Sequence, residues 1–155
     1  AGAEHFSPSP DVVALQSGRP VLIAPPGIEP KPFGRRAVLA WDGKRAAARA
    51  MADALHILPE GARVTVVSIG SDDAKFRREH RDPVVALRRH GVDADFHLAE
   101  SEGGIAASLL GACAELGADV LVIGAYEHSK FSEDLIGGVT ARVLRTAEGP
   151  VLMAH

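Results

Sequence analysis

The residues whose types and spacing could do chemistry lie in a loop from Gly124 to Thr140, which reads GAYEHSKFSEDLIGGVT. The loop follows an apolar run and enters a helix, and Gly137 and Gly138 would let a ligand approach the main chain closely. The first N–H groups of that helix, at Gly138, Val139 and Thr140, favour a phosphate. A Gly-Gly pair before a helix also serves as an ordinary turn, and that alternative stays open.

Asp42 is a second candidate, because it ends an earlier apolar run, AVLAWD. Its carboxylate could face a ligand, or it could cap the helix that begins near Lys44. Ser68 and Ile69 end a third apolar run, RVTVVSI, and could line the same cleft through their backbone. These residues can act together only if the ends of their strands meet.

The elements that must position these residues alternate between strands and helices. Apolar, β-branched runs predict strands at 37–42, 63–69, 93–99, 119–124 and 150–154. Helical spacing predicts helices at 44–58, 71–90, 102–116 and 139–146. This alternation predicts an α/β domain with right-handed crossovers and a parallel sheet covered on both faces. Ligands bind such sheets outside the carboxyl ends of the strands, where the strand order reverses, so the loops after Asp42 and Ile123 are the candidates.

Composition excludes several classes of function. The net charge of −3 argues against a nucleic-acid partner, and no apolar run approaches the roughly 20 residues that span a bilayer. The single cysteine, Cys113, fits a reducing compartment, so we expect a cytoplasmic protein. No Walker loop, His-x-Gly-His motif or metal-ligand spacing is present, so we expect neither an enzyme nor a metal site.

A partial internal repeat relates the two ends of the chain. Residues 13–24, VALQSGRPVLIA, match residues 143–154, VLRTAEGPVLMA, with five identities 130 positions apart. Prolines and glycines follow the first copy and are typical of a linker. We therefore predict that 1–33 is an arm and Pro-rich linker, the remnant of a preceding similar domain, and that 34–155 is the complete domain. The alternative is an ordinary N-terminal strand. Either way, its unpaired backbone should pair, antiparallel, with the last strand.

The motifs AVLAWDG, DVLVIGAYEHSK, LIGGVT and PVLMAH occur in an order and spacing that resembles the universal stress protein family over residues 37–155. The resemblance implies an adenine nucleotide alpha hydrolase-like fold, with five parallel strands in the order 3-2-1-4-5 and helices on both faces. It also implies dimers joined through the last strand, ATP binding in many members and no general catalytic activity. The expected function is a regulatory module in stress response.

Glu127 departs from the glycine pattern of the family's ATP loop. Gly124 matches the first glycine of that loop, Gly137 the third, and Gly138 the small residue that follows, but Glu127 replaces the second glycine. A carboxylate repels a polyphosphate, by about 4 kcal/mol at about 4 Å and an effective dielectric near 20. Two hypotheses therefore remain: ATP bound, with Mg²⁺ meeting the carboxylate, or no nucleotide and a role in dimerisation and protein interaction.

The predicted ligand-binding set combines both loops and contains no catalytic or metal-binding residue: Asp42, Ser68, Gly124, Tyr126, Glu127, Gly137, Gly138, Val139 and Thr140. The predicted partners are a small nucleotide and a second copy of the chain, joined through the last-strand edge or by exchange of the arm. We expect no nucleic acid and no membrane.

Overall fold

The computed structural model describes residues 10–70, 82–125 and 138–155. Within these ranges the helices are α1 (Pro10–Ser17), α2 (Arg45–Ala54), α3 (Asp82–Arg89), α4 (Ile105–Glu115) and α5 (Gly138–Thr146). The strands are β1 (Val21–Ile23), β2 (Arg36–Ala40), β3 (Arg63–Ile69), β4 (Asp93–Ala99), β5 (Val120–Gly124) and β6 (Val151–Ala154). No helix in the described ranges is long and apolar enough to cross a membrane.

The strands form one sheet in the order β1-β6-β5-β2-β3-β4. Strands β2 to β6 are parallel, and counted from β2 they have the predicted order 3-2-1-4-5. β1 pairs antiparallel with β6, as predicted for the N-terminal strand. It occupies the edge through which we expected a dimer, so that route requires the strand to move. The origin of residues 1–33 in a preceding domain stays a prediction.

The core has two halves because alternate residues of each strand point to opposite faces of the sheet. Val38 packs in the half that includes residues of α1, α4 and α5. Its neighbour Leu39 packs in the half that includes residues of α2 and α3. Both side chains are almost fully buried, as expected for a parallel sheet that is covered on both faces.

The helices have different bounds in the structure from those predicted, and two of them show this most clearly. The helix predicted to reach Leu58 ends at Ala54, and the chain continues in a tighter turn in which the N–H of His56 bonds to the carbonyl of Asp53. The helix predicted over 71–90 is described from Asp82 onward, because 71–81 lie outside the described residues. Pro83 follows Asp82 at the start of this helix, where a missing N–H costs little.

Asp119 joins two backbone segments at the edge of the sheet where the parallel strands begin. Its carboxylate accepts hydrogen bonds from the backbone N–H groups of Gly34, Arg35 and Arg36, at 2.8, 3.2 and 3.3 Å. Its own N–H donates to the carbonyl of Arg36 at 2.8 Å. One side chain therefore joins the segment that enters β2 to the start of β5.

We predict that Asp119→Ala lowers the free energy of unfolding by about 2 kcal/mol, because three backbone donors lose a charged acceptor. Asp93→Ala is the matched control, since the Asp93 side chain is exposed and lies 3.9 Å from Arg63. The control should change stability by less than about 0.5 kcal/mol. Urea denaturation measures both variants, and equal effects would contradict the role assigned to Asp119.

Candidate functional site

The candidate site lies at the carboxyl edge, the edge of the sheet at which β2 to β6 end. β2 leads through α2 to β3, whereas β5 leads through α5 to β6 on the opposite side of β2. The strand order therefore reverses between β2 and β5, and the chain leaves these neighbouring strands in opposite directions. We call the space above their ends the switch crevice, because this is where ligands bind in open α/β sheets.

Asp42 lies beside the switch crevice, in the turn between β2 and α2. Gly43 has a φ of 78°, which suits glycine, and the chain turns there into the helix. The Asp42 carboxylate accepts the N–H of Lys44 at 3.0 Å. Lys44 is the N-cap residue of α2, so Asp42 stabilises the turn ahead of the helix rather than its first turn. The Asp42 side chain is exposed, so it can stabilise this turn and contact a ligand at the same time.

Ser68 joins the ends of β2 and β3. Its side chain is buried, with 1% exposed, and its Oγ donates to the carbonyl of Trp41 at 2.8 Å. The N–H of Trp41 donates to the carbonyl of Val67 at 2.9 Å. These bonds extend the pairing of β2 with β3 past the last residue of β2. The Ser68 hydroxyl is therefore engaged in the fold, and the backbone contact predicted for Ser68 stays a prediction.

Gly124 ends β5 directly against the first turns of α2. A Cβ at this position would lie 2.6 Å from the backbone C of Ala46 and 2.6 Å from the N of Ala47. Real Cβ atoms do not come this close to backbone, so only glycine fits. The requirement comes from helix packing, and the φ of Gly124 is not in the left-handed region.

The first turn of α5 also lies at the carboxyl edge, because α5 runs from the loop after β5 towards the start of β6. Gly138 is exposed with open space around it, Val139 is half-buried against the core, and Thr140 is 5% exposed. The helix start is thus present where the sequence predicts it. The remaining predicted residues, Tyr126, Glu127 and Gly137, lie outside the described residues.

His155 is a residue of this edge that sequence reasoning missed. Its Nδ1 lies 2.8 Å from the carbonyl of Ala125, and its Nε2 lies 3.5 Å from Nη2 of Arg45. A guanidinium only donates, so Nε2 accepts and the ring hydrogen is assigned to Nδ1, which donates to Ala125. His155 therefore connects the residue after β6 with the first residue after β5 and with α2. The sequence signal that could have placed His155 at this edge is its position directly after the predicted strand at 150–154.

The universal stress protein family profile matches residues 34–155 of the chain. The chain belongs to this family. A universal stress protein from Burkholderia pseudomallei has 30% sequence identity and a TM-score of 0.62, covering 80% of this chain and 98% of its own. No curated protein sequence matches the chain closely enough to count as a relative.

Two further solved structures share the fold of this universal stress protein. One, a universal stress protein in complex with cAMP, has 24% identity and a TM-score of 0.64, over 78% of this chain and 96% of its own. The other, from Archaeoglobus fulgidus, has 21% identity and a TM-score of 0.70, over 93% of this chain and 52% of its own. These matches confirm the predicted fold class.

The charged groups with shifted pKa values lie away from the switch crevice. Burial alone would raise the pKa of Asp95 on β4, but the hydrogen bond from Arg63, at 2.7 Å, and its charge hold that pKa below the usual value. The pair bridges β3 and β4 near their amino ends. Perturbed carboxylates often mark functional sites, but here an ion pair between neighbouring strands explains the shift. No group of metal-binding side chains occurs among the described residues.

We predict that Gly124→Ala lowers the free energy of unfolding by at least about 2 kcal/mol, because the new methyl group collides with the α2 backbone. Gly111→Ala is the matched control, since Gly111 lies in α4 with open space around its Cβ position. It should raise stability by about 0.5–1 kcal/mol, as expected for alanine inside a helix. Thermal unfolding followed by circular dichroism separates the two, and an unchanged Gly124→Ala variant would contradict the close approach.

We predict that Cys113 is inert in the native protein. It lines a groove of about 460 Å³ at the amino ends of β5 and β6, and burial raises the pKa of its thiol to about 12. At pH 8 the thiolate fraction is then roughly a thousandfold below that of an ordinary thiol. Iodoacetamide should label it far more slowly in the folded protein than in urea, with a rate that rises about tenfold per pH unit up to pH 11. Equal rates in both states would contradict this.

Proposed function

We propose that this universal stress protein is a non-catalytic regulatory module of the cytoplasmic stress response that takes an adenine nucleotide in the switch crevice. The observation that carries the proposal is the opposite polarity of the two sides of that crevice. The exposed carboxylate of Asp42 follows β2 on one side, and the first turn of α5 starts on the other. A nucleotide has matching halves, with ribose hydroxyls that donate to a carboxylate and phosphates that suit a helix N-terminus.

The backbone around the crevice supports the proposal because it is already held in place. Ser68 joins the ends of β2 and β3, and Gly124 holds α2 close to β5. His155 bonds to the carbonyl of Ala125, the residue from which the predicted loop leaves β5. A preformed rim costs little ordering entropy when a ligand binds. The structure of a relative in complex with cAMP, which shares the fold, makes cyclic and linear adenine nucleotides the first ligands to test.

Glu127 decides between this proposal and its alternative. A carboxylate near the phosphates would oppose ATP, whereas a bound Mg²⁺ would convert the same group into a partner for the nucleotide. Without nucleotide binding, the chain would act as a dimerisation and protein-interaction module. The specific observation that favours this second function is the charged residue at a position where the family's loop has glycine.

We predict that calorimetry detects ATP binding in the presence of Mg²⁺, and that Asp42→Asn weakens it about 10- to 100-fold through loss of a charged acceptor. Asp93→Asn removes an exposed carboxylate at the opposite edge of the sheet, so it is the matched control and should bind as the wild type does. The same titrations with cAMP and AMP test whether the phosphate chain or the nucleoside dominates the affinity.

Glu127→Gly gives the second arm of the test. We expect it to strengthen ATP binding at least about tenfold without Mg²⁺, which corresponds to about 1.4 kcal/mol of relieved repulsion. No heat with ATP, AMP or cAMP at millimolar concentration, in both wild type and Glu127→Gly, would refute the nucleotide proposal and favour the interaction module. Equal binding by Asp42→Asn and wild type would remove Asp42 from the site.

A further inference from the structure

β4 forms an edge of the sheet that no described strand covers. The opposite edge is closed by the short strand β1, whereas β4 has a strand, β3, on one side only. Its seven residues, DADFHLA, keep an unbroken register with β3 and contain neither proline nor lysine. Edge strands commonly carry such residues or a bulge, because an open edge can pair with other chains. The long and regular β4 edge is therefore suited to pair with a strand of another chain.

Alternate residues of β4 direct their backbone groups away from β3. The carbonyl of Ala99 accepts the N–H of the residue after β3 at 3.2 Å, so the backbone of Ala99 faces β3. Because this direction alternates along a strand, Ala94, Phe96 and Leu98 present their N–H and C=O groups outward. Consistent with this, the carbonyl of Ala94 accepts Nε of Arg88 on α3, at 2.8 Å. A carbonyl oxygen has two lone pairs, so it can accept a further bond.

The face of β4 that lies on the α4 side of the sheet carries an acid and an imidazole two residues apart, Asp95 and His97. Asp95 is paired with Arg63 at 2.7 Å, but its side chain is still 40% exposed, so the carboxylate can accept a second donor. The His97 ring is half-buried and makes no hydrogen bond within the described part of the chain. The other face of β4 carries the apolar residues whose backbone groups point outward.

We propose that β4 pairs antiparallel with the β4 strand of a second copy of this chain, in a register centred on Phe96. Phe96 then lies opposite Phe96, and Ala94 lies opposite Leu98, so all three outward-facing residues form hydrogen-bonded pairs. On the other face, Asp95 of each copy lies opposite His97 of the other. This inference is independent of nucleotide binding.

The charges of β4 favour a second copy in the antiparallel orientation. A parallel pairing in register would place Asp95 beside Asp95, whereas the antiparallel register places it beside His97. Unlike groups opposite each other stabilise a strand pair, and like charges destabilise it. Arg63 lies 2.7 Å from Asp95 and 3.9 Å from Asp93, so it offsets the acids of each copy as the two strands approach. The contact has a two-fold axis and closes after two chains.

The first test changes the charge at one position of the whole chain. Sedimentation velocity should show the wild type at twice the 16.2 kDa chain mass at about 100 µM. His97→Glu places like charges opposite each other at two places, so it should weaken the dimer about tenfold or more, whereas His97→Lys should strengthen it. The matched controls are His56→Glu and His56→Lys, at an exposed histidine after α2, and they should dimerise as the wild type does.

A cross-link tests the register of the dimer. Phe96→Cys places two thiols opposite each other in a hydrogen-bonded pair with about 5.5 Å between the Cα atoms, a distance that suits a disulfide. Mild oxidation should therefore give a covalent dimer. The native thiol, Cys113, lies in the groove at the amino ends of β5 and β6, so the wild type should give none. Leu22→Cys, on the exposed side of β1, is the matched control at the opposite edge of the sheet.

Three results would each overturn the proposal. The first is a wild type that stays monomeric at about 100 µM. The second is a dimer whose affinity is the same in His97→Glu as in the wild type. The third is a dimer that cross-links through Leu22→Cys and not through a folded Phe96→Cys. If Phe96→Cys does not fold, the two His97 variants decide, because opposite effects support the β4 contact and equal effects contradict it.

Discussion

The contact on which the site depends is the backbone approach of α2 to the end of β5 at Gly124. A Cβ there would lie 2.6 Å from the α2 main chain, so the helix sits too close to the strand for any side chain at this position. The Ala-rich buried face of the helix, which includes Ala46, Ala47 and Ala50, makes that approach feasible. The approach sets the start of α2, and with it Asp42, Arg45 and the interaction with His155, beside the ends of β5 and β6.

The edge of the sheet at which the parallel strands begin and the edge at which they end are held by different kinds of bond. At the edge where the parallel strands begin, the Asp119 carboxylate accepts hydrogen bonds from three backbone N–H groups and joins β2 to β5. At the carboxyl edge, the side chains of Ser68 and His155 join neighbouring segments through bonds to main-chain carbonyls. Asp42, an exposed acid of that edge, accepts one hydrogen bond from the N–H of Lys44. Ser68 and His155 thus hold the carboxyl edge in place and leave the Asp42 carboxylate, on which the nucleotide proposal rests, exposed.

The strands were predictable from the sequence, because β-branched runs depend on short stretches of chain, and the antiparallel arm followed from its unpaired backbone. The strand order came from the resemblance to the universal stress protein family. The reason for glycine at Gly124 was not, because it depends on a helix about 80 residues earlier in the sequence. The same holds for His155, whose partners Ala125 and Arg45 come from two other elements. Helix ends were also missed: α2 stops at Ala54, although its apolar spacing continues to Leu58.

The shortness of β1 has a consequence for how the protein behaves in a crowded solution. An uncovered β6 would offer a buried-type apolar strand as a template to any extended chain, which is a route to aggregation. Once covered, the sheet ends in a strand of three residues that is flanked by Pro20 and Pro25, and such an edge cannot template a long partner. The short β1 strand therefore terminates the sheet on this side instead of letting it extend into a fibre.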